Sequence, residues 1–281
     1  MFQIVQKKRL NDSMTQMRVQ APYVAKKAQA GQFIILRVNE YGERIPLTIA
    51  DYDREAGTVD IIFQKVGKTT LLLDTLEEGD SILDFIGPLG KASELEGYHY
   101  AAVIGGGAGC AIAYPQAKAL HALGAKVDMI AGFRSKDIII LEDEMKAASD
   151  QLYLMTDDGS NGHKGFVTDA LKQNIEAGAK YDLVVAIGPL PMMKADCNLT
   201  KEYGIKTIIS MNSIMIDGTG MCGGCRVTVG GETKFACVDG PDFDGHLVDF
   251  DEVMKRAKTY AELERESTRE FNCRLMQQAE Q

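Results

Sequence analysis

The sequence predicts a multidomain β plus α/β protein, made of an antiparallel β-barrel, a parallel α/β domain and a small cysteine-bearing C-terminal domain. Three observations carry this expectation. The first hundred residues alternate short β-rich runs with Gly- and Asp-rich turns, and from Tyr100 the rhythm becomes strand, glycine turn and helix. Near the C-terminus Cys222, Cys225 and Cys237 follow a glycine-rich loop at metal-ligand spacing. The expected boundaries are 1–98 for the barrel, 99–210 for the α/β domain, 211–250 for the cysteine-bearing domain and 251–281 for a helical tail.

In the first domain, runs such as Gln32–Val38 (QFIILRV) and Thr58–Gln64 (TVDIIFQ) are rich in strand-forming residues and end in turn residues, which suits a small barrel. The second domain opens on Ala101–Cys110 (AAVIGGGAGC), where an apolar strand ends in glycines and a helix is expected over about 112–123. Gly106, Gly107 and Gly109 there would let backbone amides approach a pyrophosphate at a helix N-terminus, as in dinucleotide-binding Rossmann domains. The run departs from G-x-G-x-x-G in placing Cys110 at the third glycine position. Arg134 and Ser135, rather than an acid, end the second strand (126–133), so this feature selects neither NADH nor NADPH. Further strands are expected over 151–156 and 182–188, and their ends, Thr156-Asp157-Asp158-Gly159 and Gly188-Pro189-Leu190-Pro191-Met192-Met193, fall where ligands of open α/β sheets bind. Turn chemistry is an equal reading for the two acids, and packing is the expected role of both methionines.

The third domain reads D-x4-C-x2-C-x11-C, with Asp217, Cys222, Cys225 and Cys237 as the candidate ligands. A plant-type [2Fe–2S] loop has C-x4-C-x2-C and a distant fourth cysteine, so Asp217 stands where the first thiolate would be. Arg226–Val229 and Thr233–Cys237 alternate like a hairpin turning at Gly230-Gly231, which would return the last cysteine on a strand. Two alternatives stay open: a zinc knuckle completed by His246, and a cluster whose fourth thiolate is Cys197 or Cys273 with Asp217 a plain loop acid.

The 281 residues, 45% of them apolar, suffice for two or three cores, and no apolar run reaches membrane-span length. The N-terminus lacks an export-type apolar segment, and six cysteines without a disulfide pattern suit a reducing, cytoplasmic setting. A net charge of −9 argues against nucleic acid as a partner. His99, His121, His163 and His246 form no catalytic grouping.

Taken in order, these segments resemble the flavin reductases of ferredoxin–NADP reductase type that serve as electron-transfer subunits of dihydroorotate dehydrogenase B and sulfide dehydrogenase. The resemblance covers nearly the whole chain. It implies that Arg44, Pro46, Leu47, Thr48 and Ile49 bind FAD, with the arginine on a phosphate, and that Gln64, Val66, Gly67, Lys68, Thr69 and Thr70 hold the pyrophosphate. It implies NAD(H) contacts at Gly106, Gly107, Gly109, Arg134, Asp157, Asp158, Gly188 and Pro189, with Ile187 standing where relatives often carry cysteine. Aspartate at the first ligand position resembles the branch found in NADH-dependent ferredoxin:NADP⁺ oxidoreductase, as does the charged tail from Asp251 to Gln281. The implied partner is a larger subunit with another FAD and [4Fe–4S] clusters, forming a heterodimer and reaching ferredoxin and NADP(H). The rival readings are the dihydroorotate dehydrogenase B subunit and a noncatalytic zinc-containing binding module.

Overall fold

The structure, a computed structural model, describes residues 1–279, with side chains described through Phe271. Its first half is one antiparallel sheet of seven strands: β1 (Phe2–Arg9), β2 (Met14–Gln20), β3 (Phe33–Arg37), β4 (Arg44–Asp53), β5 (Thr58–Gln64), β6 (Ser81–Ile82) and β7 (Asp84–Leu89), in the order β6-β1-β2-β5-β4-β3-β7. The two edge strands, β6 and β7, are separated in sequence only by Leu83, so the sheet curls until its edges nearly meet. Alternate residues Ile34, Leu36, Ile49, Val59, Ile61 and Phe63 point inward and fill the barrel. Two short helices, α1 (Pro22–Lys27) and α2 (Lys68–Asp74), pack Val24, Ala25 and Leu73 into its core.

The second half is a doubly wound sheet. Strands β8 (Tyr100–Gly106), β9 (Lys126–Phe133), β10 (Gln151–Thr156), β11 (Leu183–Ile187) and β12 (Thr207–Ser210) are parallel and lie in the order β10-β9-β8-β11-β12. Helices α3 (Cys110–Ala122) and α4 (Glu142–Ala147) cover one face, and α5 (Val167–Glu176) and α6 (Leu190–Glu202) the other. The strand order reverses between β8 and β11, which places a crevice at the carboxyl ends of those two strands. The strand expected over 151–156 is matched residue for residue, while the helix after the glycines starts at Cys110 rather than near Ile112.

The C-terminal region is a cysteine loop, a hairpin of β13 (Arg226–Val229) and β14 (Glu232–Phe235), a strand β15 (Asp242–Asp244), and two helices, α7 (Phe250–Arg256) and α8 (Ala261–Ala279). Strand β15 adds antiparallel to β12 at the edge of the doubly wound sheet. Cys225, Val227, Ala236, Cys237, Phe250 and Val253 share one apolar core with α5, α6 and the barrel residues Phe33 and Ile35. The cysteine loop is therefore packed into the body of the protein. The hairpin forms as expected, but β14 ends at Phe235 and Cys237 sits in the turn that follows. The tail is two helices: Val253 is buried, whereas Tyr260 and Leu263, at and beyond the turn between α7 and α8, are 52% and 64% exposed.

Candidate electron-transfer site

The crevice at the strand reversal is lined by glycines with different jobs. A side chain at Gly109 would collide with the carbonyl of Ile187 and lie 2.8 Å from Gly188 Cα, so this glycine lets α3 close onto β11. A Cβ at Gly106 would lie 2.5 Å from Met192 Sδ, and one at Gly188 2.7 Å from Met192 Cε, so both make room for that thioether. Gly107 alone of this set is open, with φ +55° and no atom within 4 Å of a Cβ, and it offers its backbone to a ligand. Cys110 packs against Gly105, and burial pushes its thiol up to about 12, which makes it an inert apolar residue. Met193 lies in the core, as expected of a packing residue.

Beyond the ends of β9 and β10 the chain folds over itself. The Asp157 and Asp158 amides donate to the carbonyls of Phe133 and Arg134. Asp158 caps its own turn by accepting from the Ser160 amide at 2.9 Å, and the bonds from Ser160 hold its carboxylate below the usual range. Asp157 and Arg134 are exposed. Next to them a cleft of about 620 Å³ is lined by Lys136, Asp137, Ile139, Glu142, Asn161 and His163, residues that the motif reading did not single out. An acid at Asp137, three residues beyond Arg134, was the available signal.

In the barrel, Arg44 to Thr48 run through mid-sheet half-buried at every position, whereas the neighbouring strand β3 is buried along Phe33–Leu36. Arg44 Nε is buried and has no hydrogen-bond partner. A buried guanidinium donor without an acceptor is costly, and an anionic ligand along this strand would satisfy it. Residues Val66 to Thr70 form a tight turn into α2: Thr70 Oγ1 accepts from the Val66 and Gly67 amides, each at 3.1 Å, and Thr69 Oγ1 donates to Glu43. Gln64 and Val66 are exposed, and Lys68 is half-buried.

The four donors of the C-terminal loop come together as two pairs. Cys222 Sγ lies 3.4 Å from Asp217 Oδ1, and the Cys237 amide donates to Cys225 Sγ, also at 3.4 Å. Burial and then the neighbouring Cys225 thiol push Cys237 up to about 12. Asp217 also accepts from the Thr219 amide and hydroxyl and from the Met221 and Cys222 amides at 2.9–3.2 Å. Burial opposes its ionisation, yet those bonds together hold its carboxyl down to about 2. Arg226 and Arg256 hold the turn from outside by donating to the carbonyls of Gly223 and Gly224, each at 3.1 Å.

Among the described residues no three His, Cys, Asp or Glu side chains converge as a mononuclear metal site requires. Three thiols and a carboxylate arranged in two pairs fit a binuclear iron–sulfur cluster, with one pair for each iron. His246 does not approach them: its Nε2 lies 3.0 Å from Thr200 Oγ1, in a cleft that it shares with Cys197. The Cys197 thiol, pushed up to about 12 first by burial and then by Asp196 and Asp244, faces Gly245. The side chain of Cys273 lies outside the described residues.

The loop is set close to the barrel. A Cβ at Gly218 would lie 2.7 Å from Leu89 Cδ1 and 2.9 Å from Ile35 Cδ1, and Ile35 pairs in register with Pro46. The cysteine loop thus rests on the strand beside the one that carries Arg44 to Thr48.

A barrel with a half-buried arginine strand, a doubly wound sheet with an open glycine at its switch point and a cysteine loop packed between them define a reductase of the ferredoxin–NADP reductase type. Comparison with known proteins agrees. Residues 212–249 match the iron–sulfur cluster binding domain of dihydroorotate dehydrogenase B. The chain is 47% identical over 269 residues to a dihydroorotate dehydrogenase B electron transfer subunit homologue of Thermotoga maritima, covering 96% of this chain and 95% of the relative. It is 34% identical over 234 residues to the dihydroorotate dehydrogenase B electron transfer subunit of Fusobacterium nucleatum, covering 80% and 88%. A chain solved in a study of flavin-based electron bifurcation by the NADH-dependent reduced ferredoxin–NADP oxidoreductase superposes with TM-score 0.91 at 46% identity, covering 96% of this chain and 97% of that one. The chain belongs to the family of dihydroorotate dehydrogenase B electron-transfer subunits and their homologues, a family of oxidoreductase subunits.

Proposed function

We propose that this chain is the NAD(H)-linked electron-transfer subunit of a flavin-based electron-bifurcating NADH-dependent ferredoxin:NADP⁺ oxidoreductase, with FAD and a [2Fe–2S] cluster as its own cofactors. The observation that carries this reading is the seat of the Asp217–Cys237 loop on Ile35 and Leu89, against the strand that bears Arg44. The likeness to the bifurcating enzyme over nearly the whole of both chains supports it.

When bound, FAD supplies the exchange between the hydride chemistry of nicotinamide and the one-electron chemistry of an iron–sulfur cluster. The protein binds and aligns. Arg44, with its unpartnered Nε, would hold a flavin phosphate, and Pro46, Leu47, Thr48 and Ile49 would border the ring. Gln64, Val66, Gly67, Lys68, Thr69 and Thr70 border the pyrophosphate. Gly107 admits the nucleotide phosphates at the switch point, where Gly106, Gly109, Gly188 and Pro189 shape the turns and Arg134, Asp157 and Asp158 form the rim. The cleft lined by Lys136, Asp137 and Glu142 would take the adenosine end, and its two acids would favour a ribose diol over a 2′-phosphate and so NADH over NADPH. Asp217 with Cys222, and Cys225 with Cys237, hold the two irons.

The partner is a larger subunit carrying a second FAD and [4Fe–4S] clusters, through which electrons reach ferredoxin and NADP(H). Ile214, Ile216, Met221 and Val238, which flank the ligands, are 38–88% exposed and form an apolar face suited to that contact. No helix of the described residues is long and apolar enough to cross a membrane, and reduced thiol ligands suit the cytoplasm. A dihydroorotate dehydrogenase B subunit is the second reading, favoured by the Fusobacterium relative. Isolating the chain with its copurifying subunit separates the two. NAD⁺-stimulated reduction of ferredoxin by NADPH supports the first, and dihydroorotate-dependent reduction of NAD⁺ overturns it for the second.

A further inference from the structure

We propose that Asp242 is a positioning residue, a buried carboxyl that pins the cluster-bearing segment to the barrel and to the doubly wound sheet at once and so holds the cysteine loop beside the flavin strand. Its consequence for electron transfer rests on the function proposed above.

Asp242 begins β15, downstream of Cys237. Its Oδ2 accepts from Ser93 Oγ at 2.5 Å and from Gln116 Nε2 at 3.2 Å, and Asp242 pairs in register with Ser210 where β15 joins β12. Ser93 lies on the connection leaving the barrel, Gln116 in the helix after the glycine turn, and Ser210 at the end of β12. One residue thus ties together three regions distant in sequence. The second oxygen, Oδ1, and Gln116 Oε1 are buried without partners, and burial pushes the carboxyl up to about 6 despite the bonds it accepts.

The backbone closes on the same point. The Lys91 amide donates to Gly240 O at 2.7 Å, the Met211 amide to Pro241 O at 2.9 Å and the Ser93 amide to Ala30 O at 3.0 Å. Gly31 has no room for a side chain, since a Cβ would collide with Ser93 Oγ and lie 3.2 Å from Asp242 Oδ2. A Cβ at Gly90 would lie 2.9 Å from both Gly240 O and Pro241 Cδ. The stretch from Leu89 to Ser93 therefore carries the contact with the cluster loop at one end, through Gly218 on Leu89, and the bond to Asp242 at the other. An apolar side chain at 242 would leave the half-buried Ser93 hydroxyl and the buried Gln116 amide without their acceptor, a cost that loosens the junction rather than either cofactor site.

The test uses the full chain with its cofactors and copurifying subunit, as wild type and as Asp242→Ala, Ser93→Ala and Asp242→Asn. Two quantities are read: amide hydrogen exchange, and the successive reduction of flavin and cluster after mixing with NADH. In Asp242→Ala the Lys91, Ser93 and Met211 amides should exchange roughly tenfold faster while the strand interiors at Val103 and Val185 keep their protection. Flavin reduction should keep its wild-type rate, and cluster reduction should slow severalfold. Ser93→Ala should show the same pattern more weakly, which keeps the question open to test if Asp242→Ala does not fold. Asp242→Asn, which retains an acceptor for Ser93, should restore most of both rates. Unchanged exchange, or wild-type cluster reduction across a loosened junction, would overturn the positioning role alone. A wild-type protein that contains neither flavin nor iron would remove the electron-transfer reading, and this role with it.

Discussion

The glycine turn after β8 and the cysteine loop after β12 are both rich in glycine, yet they are held in different ways. At the turn, packing sets the conformation: Gly109 lies against the Ile187 carbonyl and Gly106 against Met192, and only Gly107 faces open space. In the loop, Gly218, Gly220 and Gly223 all have positive φ, and a single acid organises the chain by accepting from Thr219, Met221 and Cys222. The turn is a rigid part of the sheet, whereas the loop is a hydrogen-bonded frame around its own donors. The difference separates glycines that serve the fold from those that serve a ligand.

The contrast is most sharply broken at Gly109. Its replacement by alanine drives a Cβ into backbone that cannot move aside, and denaturant unfolding should show a loss of about 3 kcal/mol or more. Gly107→Ala meets no atom and should cost only about 1 kcal/mol, for its left-handed backbone, while weakening NADH binding measured by titration. Equal losses at the two positions would erase the distinction.

On the loop side, Asp217→Ala removes both the proposed cluster donor and the acceptor that orders residues 219–222, so iron content should fall to a small fraction of wild type. Asp217→Cys should keep two irons and change the EPR spectrum and midpoint potential. An unaltered spectrum would mean that Asp217 is only the loop's organiser.

A smaller effect comes from the rigid half. Asp196 on α6 is fully buried, its Oδ1 accepts from Thr168, and its Oδ2 has no partner. Burial pushes its carboxyl up to about 7, against the bond from Thr168. The folded state thus binds the proton more tightly than the unfolded one, so the contribution of Asp196 to stability is fully present below about pH 4 and is lost as the pH rises toward about 7. Asp196→Asn should remove this contribution while leaving that of Asp242, and its advantage over wild type should grow by about 1.4 kcal/mol per pH unit across that window. Parallel stability profiles would contradict a buried neutral carboxyl. The smallest expected change is at the cleft, where Asp137→Asn should shift the NADH-to-NADPH preference by about 1 kcal/mol, roughly fivefold, in steady-state kinetics.

Much of this was legible in the sequence because it is local. Strand alternation in the barrel, the strand–glycine–helix entrance at Ala101–Cys110 and the spacing of Asp217, Cys222, Cys225 and Cys237 are each read over short windows; the first two take the structure expected of them, whereas Cys237 falls in the turn after β14 rather than on a strand. The pairing of those donors, Asp217 with Cys222 and Cys225 with Cys237, is visible only in the structure. Contacts between distant segments were not legible either. Nothing in the window around Asp242 points to Ser93 or Gln116, more than a hundred residues away, and the role of Gly31 depends on that same junction. Arg44 was found through a resemblance. Its unpartnered Nε, the strongest sign of an anionic ligand, is visible only in three dimensions.

The central claim is that this chain holds a flavin and a two-iron cluster side by side. Flavin, iron, acid-labile sulfide and zinc, assayed on the protein purified without oxygen and combined with its EPR spectrum after addition of NADH, test it most directly. The structure predicts one FAD and two irons per chain, and a cluster signal that appears when NADH bleaches the flavin. A colourless protein with zinc and no flavin, obtained under the same cluster-preserving conditions, would contradict it.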